Sequence, residues 1–251
     1  MSSNRLALVT GANQGVGFQV SKELAAAGVT VLVGSRDLAK GEAAAAEIGP
    51  GARAVQLDVT DPASIAAAAD LIRADYGHLD LLVNNAAISN LSKGELSLQQ
   101  YSEASKASTI DLDEVRAIWE TNVFGVLAVY QAMLSLLRES SDARIVNVSS
   151  GVGSLTLNAD RQYASQALFS PGYAASKTAL NAVTLAMMTE LHGSGIKVNL
   201  VSPGFTSTNL NGFEGTQTLE DGSREVVRVC LLGPDGPTDT FTRWENQTIP
   251  W

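Results

Sequence analysis

Short hydrophobic runs alternate with longer alanine-rich stretches along most of this chain of 251 residues. The runs are rich in Val, Leu and Ile, and each predicts a buried strand, at 6–10, 30–34, 54–57, 79–84, 144–149 and 197–201. The stretches between them predict helices at 15–28, 38–48, 62–76, 112–139 and 173–193, with Gly28, Gly49, Gly77 and Gly193 near their ends. This alternation predicts an α/β fold with a doubly wound parallel sheet and helices on both faces.

Two long segments, 88–111 and 151–172, lack a clear periodicity, and both follow predicted strand ends. Ligands of an open parallel sheet bind beyond the carboxyl ends of its strands. These segments are therefore candidates for a substrate pocket, together with 205–225. No repeat, low-complexity linker or charge block divides the chain, which predicts one domain over residues 1–251.

Composition and charge narrow the classes of partner. The chain has 17 basic and 26 acidic residues, a net charge of -9 and no basic cluster, which argues against nucleic acid and anionic membrane as partners. Its one cysteine cannot form an internal disulfide, and the start of the sequence lacks an apolar signal core, so a cytoplasmic location is expected. No uninterrupted apolar run approaches the ~20 residues of a membrane-spanning helix. His78 and His192 lack acidic neighbours at ligand spacing, so no metal site is predicted.

A glycine-rich turn follows the first predicted strand and opens the first predicted helix. Its sequence, Thr10-Gly11-Ala12-Asn13-Gln14-Gly15-Val16-Gly17, has the spacing GxxxGxG. Glycine permits a turn without a Cβ clash and lets the backbone approach a pyrophosphate, whose charge the free N–H groups of a helix N-terminus favour. The turn is interpreted as the phosphate loop of a dinucleotide site, with a plain strand-to-helix connection as the alternative.

The end of the second predicted strand indicates which dinucleotide binds. The carboxylate that would bond a ribose 2′-hydroxyl is missing, and Ser35 and Arg36 stand in its expected place. The planar guanidinium of Arg36 suits a 2′-phosphate, so NADP(H) is the expected cofactor. A solvated surface arginine is the alternative, and the neighbouring Asp37 favours it slightly.

The pentapeptide Tyr173-Ala-Ala-Ser-Lys177 places a phenol and an ammonium four residues apart on a predicted helix, where they share one face. A cation ~4 Å from a phenol, at an effective dielectric of ~20, stabilises the phenolate by up to ~4 kcal/mol and lowers a tyrosine pKa of ~10 by ~3 units. The pair is a candidate proton donor near neutral pH. By itself, the pentapeptide also fits an ordinary helix with a half-buried tyrosine and a solvated lysine.

Six motifs, taken in order, resemble the short-chain dehydrogenase/reductase family. They span nearly the whole chain: Thr10-Gly-x-x-x-Gly15-x-Gly17, Asn84-Asn-Ala-Ala87, Asn122, Ser149-Ser150, Tyr173-x-x-x-Lys177 and Pro203-Gly204. The closing stretch from Gly233 to Trp251 resembles the carbonyl-reductase-like branch of that family. The resemblance implies a Rossmann-type domain with a seven-stranded parallel sheet, a nicotinamide cofactor, and hydride transfer to or from a carbonyl carbon.

The family's catalytic residues carry over to four positions of this sequence. The resemblance implies that Tyr173 protonates the substrate oxygen, while Lys177 lowers the pKa of that tyrosine and holds the nicotinamide ribose. Ser150 would orient the carbonyl by hydrogen bonding. Asn122 would bend its helix and hold a water that relays protons to Lys177, unless it is an amide on a helix surface.

The resemblance also implies contacts to the cofactor. Asp58 would contact the adenine amino group, unless it only caps the next turn, and Asn84 and Ala86 would line the adenosine side. The backbone of Thr206 and the hydroxyl of Thr208 would hold the nicotinamide carboxamide, unless Thr208 is a mere loop hydroxyl. The expected cofactor residues are Gly11, Asn13, Gln14, Gly15, Val16, Gly17, Ser35, Arg36, Asp58, Val59, Asn84, Ala86, Tyr173, Lys177, Pro203, Gly204, Thr206 and Thr208.

A second tyrosine competes with Tyr173 on spacing. The family's serine commonly precedes its tyrosine by about thirteen positions, and that spacing from Ser150 leads to Tyr163. Tyr163 has no lysine four residues later, so Tyr173 is the expected acid and the extra residues are interpreted as an insertion over the pocket. Tyr163 is then expected to be a packed loop residue, with a substrate-facing wall as the alternative.

These residues predict an NADPH-dependent reductase that acts on a small-molecule carbonyl substrate, an apolar ketone or aldehyde. Alternatives are an NAD-dependent alcohol dehydrogenase, or reduction of an imine or activated alkene, on the same scaffold. A non-enzymatic regulator that senses NADPH is a third possibility, against which the intact set of Ser150, Tyr173 and Lys177 argues. The expected pocket is apolar and consists of Ile88, Leu155, Leu157, Leu168, Phe169, Phe205, Leu210 and Phe213.

Two predicted helices carry apolar residues that favour a homodimer. In many relatives, the helices that hold the equivalents of Asn122 and Tyr173 pair with a second subunit. The apolar residues here are Val123, Val126, Leu127, Leu134 and Leu137 on one helix and Leu180, Val183, Met187 and Met188 on the other. Such surface is costly to leave in water, unless the segments 88–111 and 151–172 fold over it.

Overall fold

One sheet of eight strands organises the computed structural model, which describes residues 5–90, 98–165 and 168–251. The strands are β1 (Leu6–Val9), β2 (Thr30–Ser35), β3 (Ala52–Gln56), β4 (Leu81–Asn84), β5 (Arg144–Val148), β6 (Lys197–Val201), β7 (Thr240–Arg243) and β8 (Gln247–Thr248). Their spatial order is β3-β2-β1-β4-β5-β6-β7-β8, and only the β7–β8 pair is antiparallel. The doubly wound parallel sheet is therefore confirmed, and one short strand is added at its edge.

Helices cover both faces of the sheet. They are α1 (Gly15–Ala26), α2 (Leu38–Ile48), α3 (Pro62–Asp75), α4 (Leu98–Ala104), α5 (Leu112–Trp119), α6 (Gly125–Arg138), α7 (Leu155–Ala159), α8 (Tyr173–Glu190) and α9 (Leu219–Cys230). One buried cluster joins the sheet to α3, α6 and α8, and the other joins it to α1, α2 and α9. Along β4, Leu82 belongs to the first cluster and Leu81 and Val83 to the second. Burial on both faces explains why the strands are continuous apolar runs.

The helix ends have local causes that the sequence shows. The side chains of Asp37 and Asp61 accept hydrogen bonds from the backbone N–H groups of Lys40 at 3.2 Å and Ala63 at 2.9 Å, and so cap α2 and α3. The four glycines expected at helix ends have φ angles between 76° and 94°. Glycine is favoured in this left-handed region, and it lets the chain leave each helix.

The sequence patterns did not predict α4, α7, α9, β7 or β8. Helix α9 packs against α1, where the Ser223 hydroxyl donates a hydrogen bond to Glu23 Oε1 at 2.6 Å. The last part of the expected substrate-side segment 205–225 therefore belongs to the helical cover of the sheet. Gly222 interrupts the helical pattern of α9 in the sequence, so this helix was not predicted. The fold requires glycine at this position because a Cβ there would lie 2.1 Å from Thr206 Oγ1.

A five-residue π turn, Glu120–Phe124, joins α5 to α6. The resulting continuous helix, Leu112–Arg138, is the one helix of the described ranges that is long and apolar enough to cross a membrane. Its mean hydropathy is 1.2, and half of the apolar window is buried inside the protein. Val129, Met133 and Leu136 have no exposed surface, so these residues form part of the core.

Most of the apolar residues expected at a dimer interface lie in the core of the chain itself. Val123, Val126, Leu137, Leu180, Met187 and Met188 are buried, and Leu127, Leu134 and Val183 pack against the same core. The expectation of a large apolar surface on these helices is therefore wrong, because helical periodicity does not distinguish burial within a chain from burial between chains. Phe124 and Leu185 remain 52% and 42% exposed, and the homodimer stays a prediction.

Candidate active site

The carboxyl ends of four neighbouring parallel strands meet at one edge of the sheet. Strands β1, β4, β5 and β6 lie side by side, and four of the predicted motifs stand at their ends: Thr10-Gly11, Asn84-Asn85, Ser149-Ser150 and Pro203-Gly204. The structure therefore brings motifs from distant parts of the sequence to the edge where parallel sheets bind ligands.

The turn between β1 and α1 allows neighbouring backbones to lie unusually close. A Cβ on Gly11 would lie 2.9 Å from Ala86 Cα, and a Cβ on Gly17 would lie 2.3 Å from Asn85 Nδ2. Gly11 and Gly15 both have a φ of 62°, in the left-handed region. No side chain caps the start of α1, so its first N–H groups face the turn. This cradle fits a dinucleotide pyrophosphate.

Asn85 fastens this turn to the end of β4. Its Nδ2 donates to the carbonyl oxygens of Thr10 at 2.9 Å and Gly11 at 3.2 Å. The Thr10 hydroxyl oxygen accepts from the backbone N–H groups of Asn85 and Ala86, both at 3.0 Å. The sequence analysis did not assign Asn85 a role, although its place in the double-asparagine motif was a signal. Ala86 lies against the turn, and its contact with the adenosine side of the cofactor stays a prediction.

The side chain of Asn84 points to the face of the sheet that α8 covers, opposite to the face covered by α1. Its Nδ2 donates to Asn147 Oδ1 at 2.8 Å, and Asn147 Nδ2 donates to the Thr184 hydroxyl of α8 at 2.8 Å. These three residues are at most 2% exposed. The Asn84 side chain is therefore a structural link between β4, β5 and α8, and a contact of this residue with the adenosine side stays a prediction.

At the end of β2, Arg36 is exposed and Ser35 is buried. The Ser35 hydroxyl donates to the Asp37 carbonyl at 2.8 Å, so it shapes the turn rather than facing a ligand. The Asp37 carboxylate caps α2, and its Oδ2 lies 3.7 Å from Lys40 Nζ. No described residue pairs with the Arg36 guanidinium, and Asp37 therefore does not neutralise it.

A surface groove of about 310 Å³ runs between the glycine-rich turn and α2. Its lining includes two of the expected cofactor residues and a lysine that the sequence analysis missed: Asn13, Gln14, Phe18, Lys40, Ala43, Ala44 and Glu47. Lys40 lies in the first turn of α2, four residues after Arg36, and this second basic residue after β2 was the available signal. Val16 packs partly buried against the core beneath the turn.

Asp58 caps the turn that follows β3. Its Oδ1 accepts from the Thr60 backbone N–H at 2.9 Å and from the Thr60 hydroxyl at 2.7 Å. The turn-capping alternative is thus observed, and no described residue bonds Oδ2, so contact with an adenine amino group stays a prediction. Val59 is buried against α6, where a Cβ on Gly125 would lie 2.8 Å from the Val59 carbonyl oxygen.

Tyr173 begins α8, and Lys177 lies beneath it. The Lys177 Nζ is 5.7 Å from the centre of the tyrosine ring and donates to the Val148 carbonyl at 2.8 Å. The ammonium therefore faces both the phenol ring and the end of β5. At ~6 Å and an effective dielectric of ~20, a cation attracts a phenolate by about 3 kcal/mol.

Lys177 is buried without a carboxylate partner among the described residues. The side chain is 3% exposed, and loss of hydration lowers the pKa of its ammonium from 10.5 to about 8. Burial thus disfavours the positive charge of Lys177, which the expected chemistry needs. The phenolate of Tyr173 is the anionic partner that would stabilise this charge.

The Lys177 ammonium should make the stability of the protein depend on pH in a specific way. Because its folded-state pKa is about 8 and an unfolded lysine titrates near ~10.4, the unfolded state binds more protons between these values and stability rises with pH there. Lys177→Met should therefore be most stabilising below pH ~8. The difference between its free energy of unfolding and that of wild type should decrease by about 2–3 kcal/mol by pH ~10. Denaturant unfolding of both proteins across this range measures the difference.

Lys22→Met, at an exposed position of α1, is the matched control, and its difference from wild type should stay constant. A constant difference for Lys177→Met as well would show that burial does not perturb this ammonium.

Asn122 occupies the π turn, as the expected helix bend requires, and has no exposed surface. Its Oδ1 accepts from the Ile88 backbone N–H at 2.9 Å, and its Nδ2 donates to the Ile88 carbonyl at 2.9 Å and the Ser176 hydroxyl at 3.0 Å. The surface-amide alternative is therefore wrong. Both amide hydrogens are engaged, so this side chain joins the segment after β4 to α8, and a relay water held at Asn122 stays a prediction.

Ser150 follows β5 by two residues and caps a 3-10 turn, Gly151–Gly153, that packs on α8. A Cβ on Gly153 would lie 2.8 Å from the backbone of Lys177, so the serine turn and the tyrosine helix touch. The buried Ser202 hydroxyl accepts from the Gly151 N–H at 3.1 Å and the Gly204 N–H at 3.4 Å. Ser202 was missed by the sequence analysis, and it ties the serine turn to the loop after β6.

Tyr163 lies beside this serine turn. Its hydroxyl is 3.2 Å from the position that a Cβ on Gly151 would take, and the tyrosine is half-buried. This places Tyr163 next to the residue that follows Ser150, and its role as a packed loop residue or a substrate-facing wall is not decided by this contact.

The loop after β6 reaches back to the glycine-rich turn. The Thr208 methyl carbon is 3.7 Å from the position of a Cβ on Gly15, so Thr208 lies over the expected pyrophosphate. Its hydroxyl oxygen accepts from the Leu210 N–H at 3.3 Å, which is the loop role named as the alternative. The Thr206 hydroxyl is buried and donates to the Pro203 carbonyl at 3.0 Å. The nicotinamide contacts of these two threonines stay predictions.

An apolar cavity of about 560 Å³ opens beside α7 and is lined by Leu155, Asn158, Ala159 and Phe169. Two of these are expected pocket residues. Leu168, Phe205 and Phe213 are 43%, 40% and 66% exposed, and the Ser89 hydroxyl donates to the Leu210 carbonyl, which brings the loops after β4 and β6 together. Leu157 instead packs against the core, which corrects its expected place in the pocket.

The end of the chain holds the start of α7. Ser154 Oγ donates to the Pro250 carbonyl at 2.5 Å, and the Thr156 N–H donates to the Trp251 carbonyl at 3.0 Å. The Trp251 ring packs on Phe241 of β7, with ring centres 5.7 Å apart. The edge of the sheet therefore supports one wall of the apolar cavity.

Metal-ligand clusters do not occur in the described ranges, where no group of three His, Cys, Asp or Glu side chains is placed to hold an ion. Cys230 is buried in the core, and burial raises the pKa of its thiol to about 12.

Comparison with known proteins agrees with this arrangement. The sequence profile of short chain dehydrogenases matches residues 5–218. Short-chain dehydrogenase anuI of Penicillium roqueforti is 35% identical over 245 residues, which cover 94% of this chain and 91% of that protein. The solved structure of salutaridine reductase from Papaver somniferum matches with a TM-score of 0.78 and 29% identity, over 94% of this chain and 99% of that one. NADPH-bound carbonyl reductase from chicken fatty liver matches with a TM-score of 0.80 and 29% identity, over 98% and 99% of the two chains.

The fold and the site define an oxidoreductase that binds a nicotinamide dinucleotide on a Rossmann-type sheet. The chain belongs to the short-chain dehydrogenase/reductase family and is similar to its carbonyl reductases. The resemblance inferred from six short motifs is thereby confirmed.

Proposed function

We propose that this protein reduces the carbonyl group of apolar ketones or aldehydes and uses NADPH to do so. The observation that carries the proposal is the pair of Tyr173 and Lys177, in which the buried ammonium lies 5.7 Å from the tyrosine ring. The pair borders the serine turn, and that turn borders an apolar cavity. A phenol with a cation beneath it, next to a hydroxyl donor, is suited to protonating a carbonyl oxygen.

The preference for NADPH over NADH is supported by the charges around the end of β2. Arg36 is exposed and unpaired within the described residues, and Lys40 lines the adjacent groove. Asp37 is engaged as a helix cap, so it does not take the place of a carboxylate that would repel a 2′-phosphate. Glu47 is the one acidic residue in the lining of the groove, and it lies two turns further along α2.

In the proposed reaction, Tyr173 donates its phenolic proton to the substrate oxygen. The Ser150 hydroxyl donates a hydrogen bond to the same oxygen and so fixes its position relative to the phenol. The Lys177 ammonium favours the phenolate that the proton transfer leaves behind. Asn122 holds the backbone of Ile88, which keeps the segment after β4 in place. When bound, the reduced nicotinamide supplies the hydride to the carbonyl carbon.

The proposal predicts a specific pattern of cofactor use and substrate choice. With a panel of apolar ketones and aldehydes, the protein should oxidise NADPH, and NADH should be at least ~10-fold less effective, as expected for loss of one charge-assisted contact. The loss of NADPH absorbance measures both rates. The panel should include an imine and an activated alkene, and a parallel assay should contain NAD⁺ with the corresponding alcohols.

The other outcomes identify the alternatives. Turnover only with NAD⁺ and alcohols would indicate a dehydrogenase, and turnover only of the imine or alkene would assign a different acceptor to the same scaffold. Tight NADPH binding without any turnover would indicate a sensor.

A further inference from the structure

The segment after β5 folds back on the serine that begins it. The chain passes through the 3-10 turn and α7, and the Tyr163 N–H then donates to the Asp160 carbonyl at 3.0 Å. This returns the Tyr163 hydroxyl to within 3.2 Å of the position of a Cβ on Gly151. A Cβ on Gly151 would be in tight contact with this hydroxyl, so the phenol lies directly beside the residue that follows Ser150.

The Tyr163 hydroxyl has no hydrogen-bond partner within residues 5–90, 98–165 and 168–251, although the residue is half-buried. The neighbouring cavity is mostly apolar, with Leu155, Ala159 and Phe169 on its lining. The Tyr163 hydroxyl itself lies beside the serine turn, 3.2 Å from the position of a Cβ on Gly151. A half-buried phenol there offers one directional donor to a molecule bound at Ser150, because an unpaired polar group is unfavourable when it is buried.

Tyr163 is not equipped to act as the acid. The Lys177 ammonium faces the ring of Tyr173 and bonds the Val148 carbonyl, so it is committed to the other phenol. No lysine follows Tyr163 at helical spacing. The two tyrosines therefore have different tasks, one in proton transfer and the other in hydrogen bonding.

We propose that Tyr163 determines substrate specificity by donating a hydrogen bond to a second oxygen of the substrate. This inference rests on the proposed carbonyl reductase function. The Tyr163 hydroxyl lies beside Gly151, the residue after Ser150, and the proposal therefore places the second oxygen close to the carbonyl that Ser150 binds. The substrate class is an otherwise apolar ketone with an oxygen close to the reacting carbonyl, such as a vicinal diketone or an α-hydroxy ketone.

The test compares two substrates that differ in the second oxygen, 1-phenyl-1,2-propanedione and propiophenone. The kcat/KM of wild type and Tyr163→Phe is measured on both with NADPH, because comparing enzymes on each substrate cancels the greater intrinsic reactivity of the dione. The kcat/KM of Tyr163→Phe should be about 5- to 30-fold lower than that of wild type on the dione, mainly because KM rises. Its loss of kcat/KM on the monoketone should be smaller by a factor of at least ~5. Tyr76→Phe, which removes a phenol hydroxyl near Arg53 after α3, is the matched control and should alter neither.

Equal losses on the two substrates, or no loss on either, would overturn the assignment of Tyr163. Binding of the same compounds to the NADPH-loaded Tyr173→Phe protein, with and without Tyr163→Phe, provides a readout that does not need turnover. A selective loss of dione binding without turnover in wild type would support the Tyr163 contact and reject the reductase function. Equal binding of the dione to both proteins would reject the contact, whatever the activity.

Discussion

Replacing Tyr173 with Phe should abolish measurable carbonyl reduction while leaving NADPH binding nearly intact. The substitution removes the only phenol that faces a buried ammonium in the described chain, whereas the ring that covers Lys177 remains. Loss of a general acid typically lowers a rate by about 10²- to 10⁴-fold. Steady-state kinetics on a monoketone and a fluorescence titration with NADPH measure the two effects separately.

Tyr163→Phe is the matched control for this experiment, since it removes a phenol hydroxyl from the same pocket without touching the Lys177 pair. On a simple monoketone its effect should be mild. The assignment of the acid by its lysine partner would be wrong if Tyr163→Phe were the inactive variant and Tyr173→Phe retained turnover.

Arg36→Ala should weaken NADPH binding far more than NADH binding. The guanidinium is exposed at the end of β2, and only NADPH offers a 2′-phosphate that it can bind. Loss of a charge-assisted contact of about 1.5–3 kcal/mol corresponds to about 10- to 150-fold in affinity. Titration of both cofactors into both proteins gives the four dissociation constants that decide the question.

Two further variants sharpen this test. Lys40→Ala should show a smaller loss of the same selectivity, because Lys40 lines the groove but also pairs with Asp37. Arg116→Ala, which removes an exposed arginine of α5, should change neither affinity. An equal loss of affinity for NADPH and NADH in Arg36→Ala would show that Arg36 is a solvated surface arginine, as the alternative states.

The sequence predicted the parts of the fold whose periodicity is local. Six strands and five helices were recognisable because buried parallel strands are continuous apolar runs and their covering helices are rich in alanine. Helix α9 was not recognisable, because Gly222 interrupts its pattern to make room for Thr206, a contact that only the folded chain reveals. Strand β8 contains two residues and depends on pairing with β7, so it has no pattern of its own.

The candidate site was predicted better in its identities than in the directions of its side chains. The motifs named the residues, but Asn84 turns into the sheet and Ser35 into its own turn. The ties made by Asn85 and Ser202 were missed because each joins segments that are distant in sequence. Motif spacing indicates which residues meet at a strand end. The hydrogen bonds of their side chains depend on neighbouring groups from distant parts of the sequence, which the motifs do not specify.

The cofactor side of the site and the wall of the apolar cavity are supported by different parts of the chain, because α7 is attached to Pro250 and Trp251. The cofactor half is built from the first strands and their turns, whereas the wall of the apolar cavity hangs from Pro250 and Trp251 through Ser154 and Thr156. We expect a change in these last residues to shift the wall of the apolar cavity and to leave the glycine-rich turn in place. If the proposed function holds, substrate range can change at this margin of the sheet without a change in the residues that hold the cofactor.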